Sequence, residues 1–245
     1  MSGSEYRFRR FPTTRWSQLE RVARGDERSS RQSLEWLLGL YLPALRSHLI
    51  FRKHMAPEVA DDLLQGFVAA KVLDDGLLRQ ARRERGKFRT FLLTSLDNYI
   101  ADEMRREDAR KRRGSSSLQR SLDPTVEKAN TAGPAQSFEV KWAQQTLAEA
   151  LRRMEAECRA SGRDDCWGIF EARVMAPTLD QVEPVPYDQL VERYKLRSPA
   201  QASNLLITAK RMFTRALHSV ISTYTSEDNV DDEIRELLVV LSTRA

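Results

Sequence analysis

The sequence has few of the residues that hold metal ions or form disulfide frameworks. It contains only two cysteines, Cys158 and Cys166, and its three histidines, His48, His54 and His218, are not at the spacing of a metal site. Disulfide-stapled domains carry more cysteines, and structural zinc sites place Cys and His ligands in close pairs. We therefore expect no metal, no cofactor and two reduced cysteines with a structural role.

Long apolar runs are also missing. No stretch approaches the roughly 18 uninterrupted apolar residues that a membrane-spanning helix needs, and the first residues, MSGSEYRFRR, lack the apolar segment of a secretory signal. We therefore expect a soluble, cytoplasmic protein without membrane contact. The sequence also lacks a glycine-rich phosphate loop, a nucleophile elbow and a His–carboxylate arrangement, which disfavours an enzyme.

Strand signals are nearly absent, whereas helical spacing runs through the chain. No segment alternates apolar and polar residues over six positions. Apolar residues instead recur every three to four positions, which predicts helices around 16–23, 34–45 and 59–70. A fourth helix follows Gly86, and its apolar stripe gives way to the charged run RREDARKRR. The predicted fold class is all-α.

Residues 114–138 separate two parts of the chain. They are rich in Ser, Gly, Pro, Ala and Thr and carry too few large apolar side chains to build a core. We interpret them as a flexible linker. The predicted organisation is an N-terminal helical domain in 1–113, the linker in 114–138, a second helical domain in 139–225 and an acidic C-terminal helix in 226–245.

Positive charge is concentrated between residues 79 and 113. Twelve basic residues accompany six acidic ones there, although the whole chain has a formal charge of only +5. On a helix two neighbouring stripes result, one of Arg106, Arg110 and Arg113 and one of Asn98, Asp102 and Arg105. Such stripes suit contact with phosphates and the bases beside them. The competing interpretation is a solvated helix with internal Glu–Arg pairs.

The segment 187–217 predicts two helices joined by a tight turn at 195–197. Ser198 suits the N-cap of the second helix, Pro199 its first position, and Gln201 completes an S-x-x-Q capping box. This pattern indicates a helix-turn-helix whose second helix enters the major groove, although an ordinary helical hairpin would look the same. The residues expected to face DNA are Ser198, Gln201, Ser203, Asn204, Lys210 and Arg211.

Several segments together resemble one family, the bacterial RNA polymerase sigma factors of the extracytoplasmic-function type, which are sigma-70-like. FPTTRWSQLERVARGD is similar to the opening of a subgroup of these proteins, and VADDLLQGFVAAKVL resembles the helix that grips the polymerase clamp. GKFRTFLLTSLDNYIADEMRREDARKR resembles the promoter-melting helix, and the helices from Tyr187 resemble the domain that reads the minus-thirty-five element. The ending VDDEIRELLVVLS also looks like that of the subgroup.

The resemblance implies a non-enzymatic initiation subunit with core RNA polymerase and promoter DNA as partners. It also admits an anti-sigma factor or a regulatory kinase. By position, Asp61, Asp62 and Gln65 would face the polymerase. The minus-ten element would be met by Asn98, Asp102, Arg105, Arg106 and Arg110. The second helix of the pair from Tyr187 would read the minus-thirty-five element in the major groove.

Two other classes of protein fit parts of the same pattern. A free-standing helix-turn-helix regulator would bind duplex DNA without polymerase, and a helical adaptor would bind neither. The acidic tail also has two interpretations. It either restrains a DNA-facing surface or covers part of the core of the C-terminal domain.

Overall fold

The computed structural model describes residues 27–74, 87–112, 138–225 and 229–242 of the chain. These ranges are helical and contain no strand, which confirms the predicted all-α class. Within them, no helix combines the length and apolar character needed to cross a membrane. The helix expected around 16–23 and the linker expected in 114–138 lie outside the described residues.

The first two helices, α1 (Glu27–Ser47) and α2 (Pro57–Phe67), follow the apolar spacing of the sequence. Each continues without a break into a π-helical stretch, His48–Arg52 after α1 and Val68–Asp74 after α2. Proline opens α2, where its missing N–H costs no helical hydrogen bond. Both helices therefore run further than the apolar pattern alone predicts.

The third helix, α3 (Phe88–Arg112), buries the apolar stripe that the sequence predicted. The buried members are Phe88, Leu92, Leu96, Tyr99 and Ile100. The helix then continues through the charged run, where no side chain from residue 101 to 110 is buried. Acid–arginine pairs three residues apart support the helix in this half.

The helices described from residue 138 onward begin with α4 (Phe138–Ala160) and α5 (Asp164–Phe170). A π-helical stretch, Glu171–Met175, follows α5 and leads into the short α6 (Ala176–Leu179). The pair predicted from the sequence is present as α7 (Tyr187–Tyr194) and α8 (Pro199–Ile221). The last helix is α9 (Val230–Ser242).

The chain divides into two compact units. The first contains α1, α2 and α3 together with Ser222–Glu233, and its core includes Tyr41, Phe67 and Leu96. The second contains Phe138–Ile221 and the residues from Ile234 onward. Its fully buried side chains include Trp142, Met154, Ile169, Leu190 and Met212. The boundary at Glu233 falls within α9, so the first turn of this helix belongs to the first unit.

Candidate functional site

The helix α2 carries an exposed face opposite its buried one. Glu58, Asp62 and Gln65 recur every three or four residues and are all exposed, and Ala69 of the following π-helical stretch continues the spacing. Ala60, Leu63, Leu64 and Phe67 fill the buried face. Two of the three residues predicted to face the polymerase, Asp62 and Gln65, therefore lie on an accessible surface.

Asp61, the third of these residues, lies at the edge of that face and is paired within the protein. The Nε and Nη2 atoms of Arg46 donate to its two carboxylate oxygens over 2.6 and 2.9 Å. This is a bidentate pair, for which the planar guanidinium of arginine is well suited. These hydrogen bonds hold the pKa of Asp61 below its usual range. Both side chains remain close to half exposed. Asp61 thus fastens α2 to α1, a role that the sequence analysis missed.

The approach of α2 to α3 depends on Gly66. A β-carbon at this position would lie 2.3 Å from the hydroxyl oxygen of Tyr99 on α3, well inside van der Waals contact. The Tyr99 ring also meets Phe67 edge to face, with 5.8 Å between the ring centroids. Burial raises the pKa of Tyr99. The glycine therefore permits the close contact that holds the polar face of α2 relative to α3.

One polar stripe of α3 points away from the core. It consists of Asn98, Asp102 and Arg105, which are exposed or half exposed. The Nη1 atom of Arg105 donates to Asp102 Oδ1 over 2.8 Å, and the arginine side chain is 76% exposed. Exposed pairs of this kind contribute at most about 1 kcal/mol. Arg105 can therefore exchange the carboxylate for a phosphate at little cost.

Arg106 and Arg110 lie about a quarter turn around α3 from that stripe, in line with Tyr99. Both are exposed. Arg106 Nη1 donates to Glu103 Oε1 over 2.5 Å. The residues predicted to face the minus-ten element therefore form two neighbouring stripes, and both are accessible. The acid–arginine pairs within the helix, which the competing interpretation expects, are also present.

Two members of the basic run do not contribute to an exposed surface in the way the sequence suggested. Arg89 is buried, and its Nη1 atom donates to Glu233 Oε1 over 2.6 Å. Lys87 is half buried, and its ammonium lies 4.0 Å from the other carboxylate oxygen of Glu233. Counting charges along the chain could not separate these buried cations from exposed ones. The basic residues at 79–86 and at 113 lie outside the described residues.

The start of α7 is anchored on the π-helical stretch after α5. The guanidinium of Arg173 lies 4.2 Å from the ring centroid of Tyr187, and its Nη1 donates to the carbonyl of Val185 over 2.8 Å. At the other end of α7, Tyr194 lies over Gly168, where a β-carbon would be 1.8 Å from the tyrosine hydroxyl. Both ends of α7 are thus fixed against the same part of the second unit.

The turn between α7 and α8 begins at Lys195, which adopts a left-handed conformation with φ 52°. The N–H of Leu196 then donates to the carbonyl of Val191 over 2.9 Å, which satisfies the end of α7. Ser198 caps α8, because its hydroxyl accepts the N–H of Gln201 over 3.3 Å. In return the Gln201 Oε1 accepts the N–H of Arg197 over 2.8 Å, one residue earlier than a standard capping box.

The outward face of α8 contains only part of the predicted DNA-reading set. Ser198 and Gln201 have side-chain oxygens engaged in capping, and Ser203 is half buried. The exposed members are Asn204, Lys210 and Arg211. The sequence analysis missed Ile207, which is 47% exposed and lies between Asn204 and Arg211 on the same face. An exposed apolar side chain there can contact a thymine methyl group.

The cysteines and acids bring no metal site together in the described ranges. Cys158 and Cys166 are buried free thiols. Burial raises the pKa of Cys158 to about 11 and also raises the pKa of Cys166. Among the described residues, no group of three or more His, Cys, Asp or Glu side chains could hold a metal ion. The two thiols are therefore packed within the helical core.

A comparison with protein-family models, curated proteins and solved structures yields no match to this chain.

Proposed function

We propose that this protein is an RNA polymerase sigma factor of the extracytoplasmic-function type. In this proposal the exposed face of α2 contacts core polymerase, and α3 holds the separated strand of the minus-ten element. The helices α7 and α8 form a helix-turn-helix that reads the minus-thirty-five element, and the two units act as separate domains. The polymerase performs the chemistry, and this chain selects the promoter.

The second half of α3 is the observation that carries the proposal. Its side chains from 101 to 110 are not buried; they comprise three arginines, Arg105, Arg106 and Arg110, and four acids. The next three residues of the sequence are all basic, so 101–113 carries six basic and four acidic residues. An exposed helical segment with a net positive charge and few apolar groups suits a polyanion better than a protein core. Asn98 and Asp102 add groups that can hydrogen-bond to unpaired bases. Flipping a base costs a few kcal/mol, and contacts on this stripe would offset that cost.

Transcription from genomic fragments with core polymerase tests the proposal directly. We expect the full-length protein to direct run-off transcripts from defined start sites, whereas core polymerase alone should not. A protein that neither associates with core polymerase nor directs such transcripts would contradict the proposal.

The polymerase contact has its own test in the double variant D62K/Q65K. Asp61 is left unchanged because its pairing with Arg46 would confuse the result. Reversing charge at a complementary interface costs several kcal/mol, so pull-down of core polymerase should fall by about tenfold or more. Glu192→Lys, at an exposed acid on α7, is the matched control and should leave the pull-down unchanged. Equal pull-down by D62K/Q65K and the control would refute the assignment of α2.

A free-standing DNA-binding regulator is the second candidate function. The capped helix α8, with Asn204 and Arg211 exposed on one face, favours it as much as it favours a sigma factor. The two differ in their need for polymerase. A regulator should shift promoter duplex unaided, whereas a sigma factor should bind the same duplex poorly until core polymerase is added.

A further inference from the structure

A segment from the C-terminal part of the chain completes the core of the first unit. Ser222–Glu233 belongs to that unit, although the residues just before it belong to the second. Tyr224 is 1% exposed, and its ring meets Tyr41 edge to face, with 5.6 Å between centroids. Tyr41 in turn meets Phe88, the first residue of α3, over 5.4 Å. An aromatic chain therefore links this segment to the start of α3.

The same segment also contacts the start of α3 through an ion pair. Glu233 is 3% exposed and accepts a hydrogen bond from Arg89, the second residue of α3, over 2.6 Å. Its other oxygen faces the Lys87 ammonium at 4.0 Å. Glu233 lies in the first turn of α9, and Arg89 in the first turn of α3, so the carboxylate sits near two helix N-termini that favour negative charge.

Packing of the core does not by itself explain why an ion pair lies at this buried position. A buried pair is rarely more stabilising than well-packed apolar side chains of the same volume, whereas loss of one partner leaves an uncompensated buried charge. A hydrogen-bonded pair does, however, favour one placement of the two helix turns that carry it. Here these are the first turn of α3 and the first turn of α9, both in the first unit.

We infer that Glu233 is a positioning residue that holds the start of α3 through Arg89, and so sets where the outward stripe of Asn98 and Arg105 points. Only the last step, the effect on promoter melting, rests on the proposed function. The contact itself can be tested in the isolated full-length protein. The inference thus connects the end of the chain to the helix proposed to hold the melted strand.

Hydrogen–deuterium exchange of the full-length protein tests the contact. Glu233→Gln should speed exchange of residues 88–100 and 229–233 by about tenfold or more, because it removes the negative charge that the buried Arg89 contacts. Asp231→Asn removes the same charge from an exposed site on the same turn and should stay within about twofold of wild type. The charge exchange R89E/E233R should slow exchange again only in part, because the new arginine would lie near Lys87 and near two helix N-termini. Equal exchange in Glu233→Gln and Asp231→Asn would overturn the inference.

Open-complex formation with core polymerase tests the positioning role. Glu233→Gln should lower strand opening on closed promoter duplex by about two- to thirtyfold, the range of remote coupling. A pre-opened bubble should restore most of the loss, and R89E/E233R should partly restore opening on closed duplex. Faster exchange with unchanged opening would overturn the positioning role. Failure of the wild-type protein to open any promoter would overturn the proposed function and the melting role together, while the exchange result would still decide the contact.

Discussion

Replacing Gly168 with alanine should destabilise the second unit and displace α7. The added β-carbon would lie 1.8 Å from the hydroxyl oxygen of Tyr194 and 2.6 Å from the ring carbon that carries it. Both atoms must move, so a small rotation of the hydroxyl cannot relieve the contact. Tyr194 is the last residue of α7, and its displacement would change the approach of that helix to α5.

Two opposing effects set the size of this change. Alanine is favoured over glycine in a helix interior by roughly 1 kcal/mol. Overpacking a core contact costs about 1–3 kcal/mol. The difference between the two effects is about 0–2 kcal/mol. Because the new contact is far shorter than any tolerated one, we expect overpacking to win and Gly168→Ala to lower the free energy of unfolding by up to about 2 kcal/mol.

Native-state hydrogen exchange of α5 and α7 measures this loss of stability locally. Gly39→Ala is the matched control, since Gly39 also lies within a helix but a β-carbon there would meet no atom within 4 Å. The control should raise stability by roughly 0.5–1 kcal/mol. Adding Tyr194→Ala to Gly168→Ala should remove most of the clash, so the two effects should not add. A Gly168→Ala protein that gains as much stability as Gly39→Ala would refute the reasoning.

Three further predictions follow from local contacts. Ser198→Ala removes the acceptor for the Gln201 N–H and should cost about 1 kcal/mol of stability at the start of α8, whereas Ser198→Asp should keep the cap. Equal hydrogen exchange of the first turn of α8 in the two variants would contradict this. Because burial raises the pKa of Cys158 to about 11, a thiol reagent at pH 8 should modify Cys158 of the native protein no faster than the surrounding helices open to solvent. Immediate modification of this cysteine would contradict the prediction. The pKa of Asp61 is lowered in the folded protein, so its pairing with Arg46 stabilises the fold at pH values above the ordinary pKa of 3.8. This stabilisation is lost as the pH falls through the lower pKa of the folded state. Urea unfolding between pH 2 and 6 should show the loss in wild type and not in Asp61→Asn.

Local features of the fold could be predicted from the sequence. The stripe of α3 and the start of α8 at Pro199 follow from spacing and capping residues within a few positions of one another. The hydrogen bond from the Gln201 N–H to Ser198 confirms the predicted N-cap. Signals of this kind are readable because the interacting groups are close in the chain.

Contacts between distant parts of the chain could not be predicted in this way. Arg89 and Glu233 are 144 positions apart, and no periodicity links them. The sequence therefore shows Arg89 only as one of the basic residues between 79 and 113, with no sign that it is buried. Neither interpretation of the acidic tail included Ser222–Glu233 as part of the first unit. Asp61 likewise looked like a surface acid because its partner lies on another helix.

The place of Ser222–Glu233 in the first unit has a consequence for synthesis. Domains usually fold in order as the chain leaves the ribosome. Here α1, α2 and α3 emerge early, but Tyr224, which contacts Tyr41, and Glu233, which pairs with Arg89, are made only after Phe138–Ile221 of the second unit. The first unit therefore cannot finish folding until Ser222–Glu233 has been made. We expect a product truncated within Phe138–Ile221 to expose Tyr41 and Arg89 to water, and therefore to aggregate or be degraded more readily.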